Sequence, residues 1–327
     1  MNILVTGGAG FIGSNFVHYI LENHPDDRVI NLDLLTYAGN LRNLDDVKDN
    51  PNHIFIEGNI GNRELVRYIV KEYEVDHIVN FAAESHVDRS ITNPEVFVET
   101  NIQGTLNLLN VARDSNIEKF LQISTDEVYG SLGADGFFTE ETPLAPNSPY
   151  SASKAAADML VRSYFETYGL NINITRCSNN YGPYHFPEKL IPLMITNAMD
   201  GKPLPVYGDG ENIRDWLHVK DHCQAIDLVL RKGKKGEVYN VGGHNERTNN
   251  QIVDIIVDKL DVSRDLILHV DDRLGHDKRY AINPTKLETE LGWKPEYTFD
   301  VGINETIEWY QSNQNWWRPL KEKAKLS

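Results

Sequence analysis

The segment Thr6-Gly7-Gly8-Ala9-Gly10-Phe11-Ile12-Gly13 constrains this chain more than any other. It follows the apolar run Ile3-Leu4-Val5, which reads as a strand, and opens the periodic stretch 11–21, which reads as a helix. Glycines at 7, 10 and 13 allow a tight turn, close approach of the backbone to a pyrophosphate, and close helix–strand contact. The helix N-terminus then offers free N–H groups and a partial positive charge. Such a turn predicts a Rossmann-type, doubly wound α/β fold. Asp33 ends the next β-branched run, Val29-Ile30-Asn31-Leu32, about 20 residues beyond the last glycine. A carboxylate there holds a ribose hydroxyl pair and repels a 2′-phosphate, so NAD is expected in preference to NADP.

The same alternation continues along the first half. Residues 54–56, 78–81, 120–124 and 172–175 read as strands, and 63–73, 95–113 and 151–168 as helices. This predicts a parallel sheet covered on both faces, with ligands at the carboxyl ends of its strands. After about Ser178 the prolines Pro183, Pro187, Pro192, Pro203 and Pro205 predict a loop-rich region. The pattern resumes with a strand at 238–241 and a helix at 251–260. We expect a dinucleotide-binding domain over 1–178, joined by the later strand near 238–242, and a smaller, mainly substrate-binding domain over 179–327. The terminal Lys321, Lys323 and Lys325 read as a solvated tail.

A formal charge of −16 argues against a sequence-independent grip on nucleic acid, which needs a basic footprint. No apolar run approaches the roughly 18 residues of a membrane span, so no membrane partner is expected. Met1 leads straight into the first strand, which gives no sign of a signal peptide. Only Cys177 and Cys223 are present, without metal-ligand spacing, and a reducing, cytoplasmic setting fits. His218 and His222 are four apart but lack a third ligand, so no metal is expected.

Two further segments carry chemistry. Tyr150-Ser151-Ala152-Ser153-Lys154 sets a phenol and an ammonium one helical turn apart on one face. A lysine so placed can lower the tyrosine pKa and hold a nicotinamide ribose. Ser124-Thr125-Asp126-Glu127-Val128-Tyr129-Gly130 ends the fifth strand with two adjacent acids. Oxidation or epimerisation at one carbon needs Tyr150, Lys154 and a hydroxyl such as Thr125. A carboxylic acid and a carboxylate in addition suit a dehydration, with like-charge repulsion keeping one of them protonated.

The chain resembles the extended short-chain dehydrogenases/reductases, and among them the dTDP-glucose 4,6-dehydratase family of nucleotide-sugar lyases. The motifs that carry the likeness are 82–90, 124–130, 150–154, 177–184, 187–192, 214–219 and 272–277. The resemblance implies NAD as cofactor, a nucleotide-diphosphate sugar as substrate, a 4-keto-6-deoxy sugar as product, and a homodimer paired through helices 95–113 and 151–168. It implies Thr125, Asp126, Glu127, Tyr150 and Lys154 as catalytic. Gly7, Gly10, Phe11, Ile12, Gly13, Asp33, Asn59, Ile60, Ala82, Ala83, Thr100 and Asn180 would line the NAD site, with Tyr150 and Lys154. Ser85, Thr125, Asn179, Lys189, Leu190, Pro205, Tyr207, Arg214, Asn249, Asp272, Arg273 and His276 would hold the nucleotide-sugar.

Two departures bear on that reading: Asn59 stands where the family usually has an acid near adenine, and Leu274 where it often has proline. Alternatives stay open at this stage: the same chemistry on UDP-glucose or UDP-N-acetylglucosamine, a UDP-sugar 4-epimerase or decarboxylase, or an NAD binder without catalysis. His86 reads equally as a structural histidine or a ligand contact, and Trp309, Trp316 and Trp317 as packing.

Overall fold

The glycine turn lies where the sheet reverses its order. In the computed structural model, which describes residues 1–326 and side chains as far as Glu322, the first six strands are β1 (Asn2–Thr6), β2 (Arg28–Asp33), β3 (His53–Glu57), β4 (His77–Asn80), β5 (Lys119–Thr125) and β6 (Ile172–Cys177). The later ones are β7 (Asn179–Tyr181), β8 (Leu204–Tyr207), β9 (Ile213–His218), β10 (Val238–Val241), β11 (Glu246–Thr248) and β12 (Ile267–Val270). The main sheet has the order β10-β6-β5-β4-β1-β2-β3, and all its pairings are parallel. The chain winds outward from β1 to β3, then returns to lay β4 on the other side of β1. Its connections therefore diverge above β1 and β4 and leave a crevice at their carboxyl ends. β5 and β6 are buried along their whole length, as strands covered on both faces must be.

Two apolar cores sandwich this sheet. On one face, Phe16, Val17 and Ile20 of the helix Phe11–Asn23 pack with Ile226, Val229 and Leu230 of the helix Val219–Lys232. On the other, Val66, Ile69, Leu108, Leu109, Val161 and Tyr164 come from Arg63–Glu72, Thr105–Asp114 and Pro149–Tyr168. A third core joins Ile191, Ile195, Ile252, Ile256, Ile303, Tyr310 and Trp317 around the smaller sheets. The first core takes residues back after Ser178: the helix Val219–Lys232, β10, Leu287 and Trp293 all pack into it.

Several local differences from the sequence reading have identifiable causes. The helix expected at 151–168 begins at Pro149, because Ser148 and Ser151 form a reciprocal capping box and proline is suited to the first helical position. Its far end closes on Gly169 at φ 67°. The helix expected at 95–113 contains a π-helical stretch, Val98–Gly104. The region expected to be loop-rich holds the helix Leu190–Met199 and strands β8 and β9. Pro192 sits in that helix's first turn, where N–H groups have no intrahelical acceptor, and Pro205 lies in a two-stranded edge pairing of β8 with β12. Neither proline therefore breaks its element.

The C-terminal tail also differs. Gln314–Leu326 is helical, and Lys321 donates to Asn197 Oδ1 at 2.7 Å. The side chains of Lys323 and Lys325 lie outside the described residues. Trp316 and Trp317 are buried in the third core, and Trp316 Nε1 reaches back to Asn43 Oδ1 at 2.9 Å. Trp317 is fully buried, with Nε1 donating to Tyr310 O at 2.8 Å. Trp317→Ala is expected to cost about 3–5 kcal/mol in urea denaturation. A loss below about 1 kcal/mol would mean that the C-terminal helix is not part of the cooperative core.

Candidate active site

The carboxyl ends of β1, β2, β4, β5 and β6 open into one cavity of about 610 Å³. At one end is the glycine turn. Gly7 has φ 72°, and a Cβ there would come within 2.7 Å of Ala82 N; on Gly13 it would come within 2.2 Å of Gly7 O. The helix Phe11–Asn23 starts after Gly10, which has no side chain to cap it, and Phe11, Ile12 and Gly13 line the cavity. Asp33 accepts from Ala9 N at 2.9 Å and Leu35 N at 2.8 Å, so its carboxylate ties the glycine turn to the end of β2. Burial still raises its pKa, and the two N–H donors only partly offset this.

A dinucleotide fits these residues: backbone close to the cavity, donors at a helix start, and an acid at the second strand. Asn59, Ile60, Ala82, Ala83, Thr100 and Asn180 line the same space. Asn59 Oδ1 accepts from Gly61 N at 2.7 Å. Asn180 is held from both ends, donating to Ser178 O and bonded through Oδ1 to His222 Nδ1 at 2.8 Å. His218 caps the helix Val219–Lys232 and stacks on Tyr297 at 3.8 Å.

At the centre, Thr125, Asp126, Glu127, Tyr150 and Lys154 all line the cavity. Thr125 ends β5 and caps a short 3-10 turn, accepting from Glu127 N at 3.2 Å. That turn swings the two acids under the first turn of Pro149–Tyr168. Asp126 is 1% exposed, and its Oδ2 has no hydrogen-bond partner among the described residues. Burial, and then the Glu127 charge, push its pKa well above the usual carboxylate range. Glu127 is raised by burial too, but Arg273, Arg214 and Lys189 pull it back. Asp126 is therefore the acid that favours its protonated form, with desolvation a larger cause than the like-charge repulsion expected from the sequence.

The expected lowering of the tyrosine pKa by the lysine does not appear. Burial, and then Glu127, lift the Tyr150 phenol well above its ordinary value. Lys154 donates to Ile123 O at 2.8 Å, and burial lowers its own pKa.

At the far end, Ser85, Asn179, Lys189, Leu190, Pro205, Tyr207, Arg214, Asn249, Arg273 and His276 line the cavity. Asp272 does not: its Oδ1 lies 2.6 Å from His276 Nδ1, so it orients that imidazole from behind. Leu274 also stands outside, 77% exposed. Among the described residues Arg214 makes no salt bridge. It donates to Ile213 O and Asp277 O and lies over the Tyr280 ring at 4.1 Å. His86 has a structural role, capping the helix Val87–Thr92, and it also lines the cavity, where burial and the nearby Lys189 hold its pKa at about 4.

Sequence reasoning missed residues that only the tertiary fold assembles. Asn101, 1% exposed inside the π-helical stretch, clamps the backbone of Glu84 from both sides and donates to Ser153 Oγ at 2.9 Å. Tyr280 bonds Asp277 Oδ2 at 2.5 Å and gives Arg214 its ring to lie on. Tyr37 and Glu188 line the cavity beside Arg89, whose guanidinium lies 3.8 Å from the Tyr37 ring centre. The π-helical stretch leaves no signature in apolar periodicity, and Tyr280 is three residues past the nearest motif.

Comparison with known proteins agrees with this geometry. Residues 4–306 match the family model described as GDP-mannose 4,6 dehydratase. The chain is 56% identical to a dTDP-glucose 4,6-dehydratase of Xanthomonas campestris pv. campestris, covering 96% of this chain and 94% of that one. Its structure resembles the dTDP-glucose 4,6-dehydratase of Bacillus anthracis solved in complex with NAD, with TM-score 0.93, 57% identity, and coverage of 98% and 99%. It likewise resembles the dTDP-glucose 4,6-dehydratase of Streptomyces venezuelae solved with NAD, with TM-score 0.95, 51% identity, and coverage of 98% and 100%.

The buried acid makes a demand on stability that pH exposes. Asp126 titrates higher in the folded than in the unfolded chain, so the folded state binds more protons as pH rises above the ordinary 3.8. Stability therefore falls with pH across that window. Asp126→Asn does not titrate, so its stability relative to the parent should improve as pH rises above the ordinary carboxylate value. A difference that stays flat in chemical denaturation would mean that Asp126 is not held protonated.

Proposed function

The chain belongs to the GDP-mannose 4,6-dehydratase family, and from that premise we propose that it is an NAD-dependent lyase that converts dTDP-glucose to dTDP-4-keto-6-deoxyglucose. One observation carries the choice of dehydration: the adjacent acids Asp126 and Glu127 are buried at the end of β5, in the same cavity as Tyr150. A one-carbon oxidation or epimerisation has no use for that pair.

The glycine turn, Asp33 and Lys154 would hold NAD, which supplies the acceptor for hydride from C4 of the sugar and later returns it to C6. Tyr150 acts as its phenolate and takes the proton from the 4-hydroxyl, while Thr125 hydrogen-bonds the same oxygen. Lys154, with the positive charge of a bound nicotinamide, would favour that phenolate against the burial that raises the phenol. With C4 a ketone, the C5 hydrogen becomes acidic. Glu127, whose charge Arg273, Arg214 and Lys189 support, removes it. Asp126, kept neutral by burial and by Glu127, donates its proton to the departing 6-hydroxyl, and water leaves. The same Glu127 returns a proton to C5 when C6 is reduced. At that point Tyr150 holds the proton from the 4-hydroxyl and Asp126 is a carboxylate; passage of that one proton from Tyr150 to Asp126, directly or through water, restores both and balances the cycle. Lys189, Arg214 and Arg273 supply the positive charge that a sugar diphosphate needs.

The domain assignment proposed is 1–178 with the strand near 238–242 for the dinucleotide and 179–327 mainly for the nucleotide-sugar; the packing of β10 into the first core supports it, and the helix Val219–Lys232, Leu287 and Trp293 pack there too. A homodimer is proposed through the paired helices that expose Val98 at 44% and Met159 at 46%. Among the described residues no helix is long and apolar enough to cross a membrane. Cys177 and Cys223 are free and buried, which supports a cytoplasmic working place.

Incubated with dTDP-glucose and no added cofactor, the purified protein should yield a product lighter by one water in mass spectrometry. No loss of water, even with NAD supplied, would overturn the reading. Glu127→Gln should accumulate bound NADH absorbance yet release no dehydrated sugar, and Tyr150→Phe should form no NADH. Normal turnover by Glu127→Gln would remove the assigned base.

A further inference from the structure

One carboxylate at the mouth of the cavity is absorbed by none of the steps above. Asp88 stands in the first turn of the helix Val87–Thr92, on the sheet side of the crevice, and its side chain is 38% exposed. Across the crevice, Arg273 comes from the loop after β12. Its Nη1 lies 3.5 Å from Asp88 Oδ1, and Tyr207 OH donates to Asp88 Oδ2 at 3.4 Å. Asp88 thus touches two expected nucleotide-sugar contacts from the opposite wall.

The contact is a poor one for an arginine. It is long and single, whereas a guanidinium binds an anion best through two parallel N–H donors. Among the described residues, buried Arg273 Nε has no hydrogen-bond partner and buried Asp88 Oδ1 accepts no hydrogen bond. Arg273 therefore keeps a donor in reserve while leaning on a half-exposed carboxylate. A diphosphate offers a closer, bidentate and more negative partner.

We propose that Asp88 is the counter-ion that sets affinity for the nucleotide-sugar: it holds Arg273 across the mouth of the cavity, and an incoming diphosphate takes Arg273 from it. Binding then includes the rupture of one ion pair. Asp88 lowers affinity for the diphosphate, and it does so through Arg273. This rests on the nucleotide-sugar reading of the cavity.

The test is calorimetric titration of the NAD-loaded protein with dTDP. Asp88→Asn should bind dTDP about three- to fivefold more tightly than the parent, the scale of a partly exposed ion pair. Asp88→Glu, which keeps the charge, should bind as the parent does and serves as the control for folding. In an Arg273→Gln background, Asp88→Asn should change affinity by less than about 1.5-fold. Unchanged or weaker binding by Asp88→Asn overturns the proposal. So does an equal gain in both backgrounds, because the effect would then be general repulsion. A parent that fails to bind dTDP at all overturns the nucleotide-sugar reading itself, and this result is distinct from the others.

Discussion

The close approach of the β1 turn to the end of β4 is the constraint on which the rest depends. There is no room for a side chain between Gly7 and Ala82, or between Gly13 and Gly7. That contact lets the helix Phe11–Asn23 start directly above the sheet, at the point where strand order reverses. Asp33 then clips the turn from β2 through two backbone N–H groups. A crevice with a positive helix end on one side and the ends of β4, β5 and β6 on the other follows from that geometry.

Charge at the centre is organised by burial as much as by pairing. Two acids next to each other in sequence would share a similar pKa in water. Here one sits under the helix with an unpartnered oxygen, and the other faces three cations. Desolvation acts on both, but three cations draw Glu127 back, whereas Arg214 and the Thr125 hydroxyl only partly offset the burial and the Glu127 charge that raise Asp126. The same environment raises Tyr150, and Lys154, anchored to Ile123 O, does not offset it. Exclusion of water therefore favours the neutral forms of Asp126 and Tyr150, so that the Tyr150 phenolate needs the charge a bound nicotinamide would bring, and the cations gather where a diphosphate would lie.

The second body is connected to the first by long-range contacts that sequence pattern does not reveal. The chain leaves the main sheet at β6, returns through the helix Val219–Lys232 and β10, and leaves again. Trp316 fastens the C-terminal helix to Asn43, more than two hundred residues earlier. The loop after β12 reaches the catalytic end only because β12 pairs with β8 and aims it back across the crevice.

The sequence by itself determined the first sheet, the glycine turn, the acid at β2 and the Tyr150–Lys154 spacing, because each rests on local periodicity or on a short motif with one steric solution. It also brought forward Thr125, Asp126 and Glu127 as neighbours on one strand end. Only the tertiary structure decided which acid is left without a partner, that Asp272 stands behind His276, that Asn101 clamps the loop after β4, and that Asp88 meets Arg273. Those outcomes depend on desolvation and on contacts between segments far apart in the chain. No window of sequence carries such information, because the energies arise only when the two walls of the crevice are brought together.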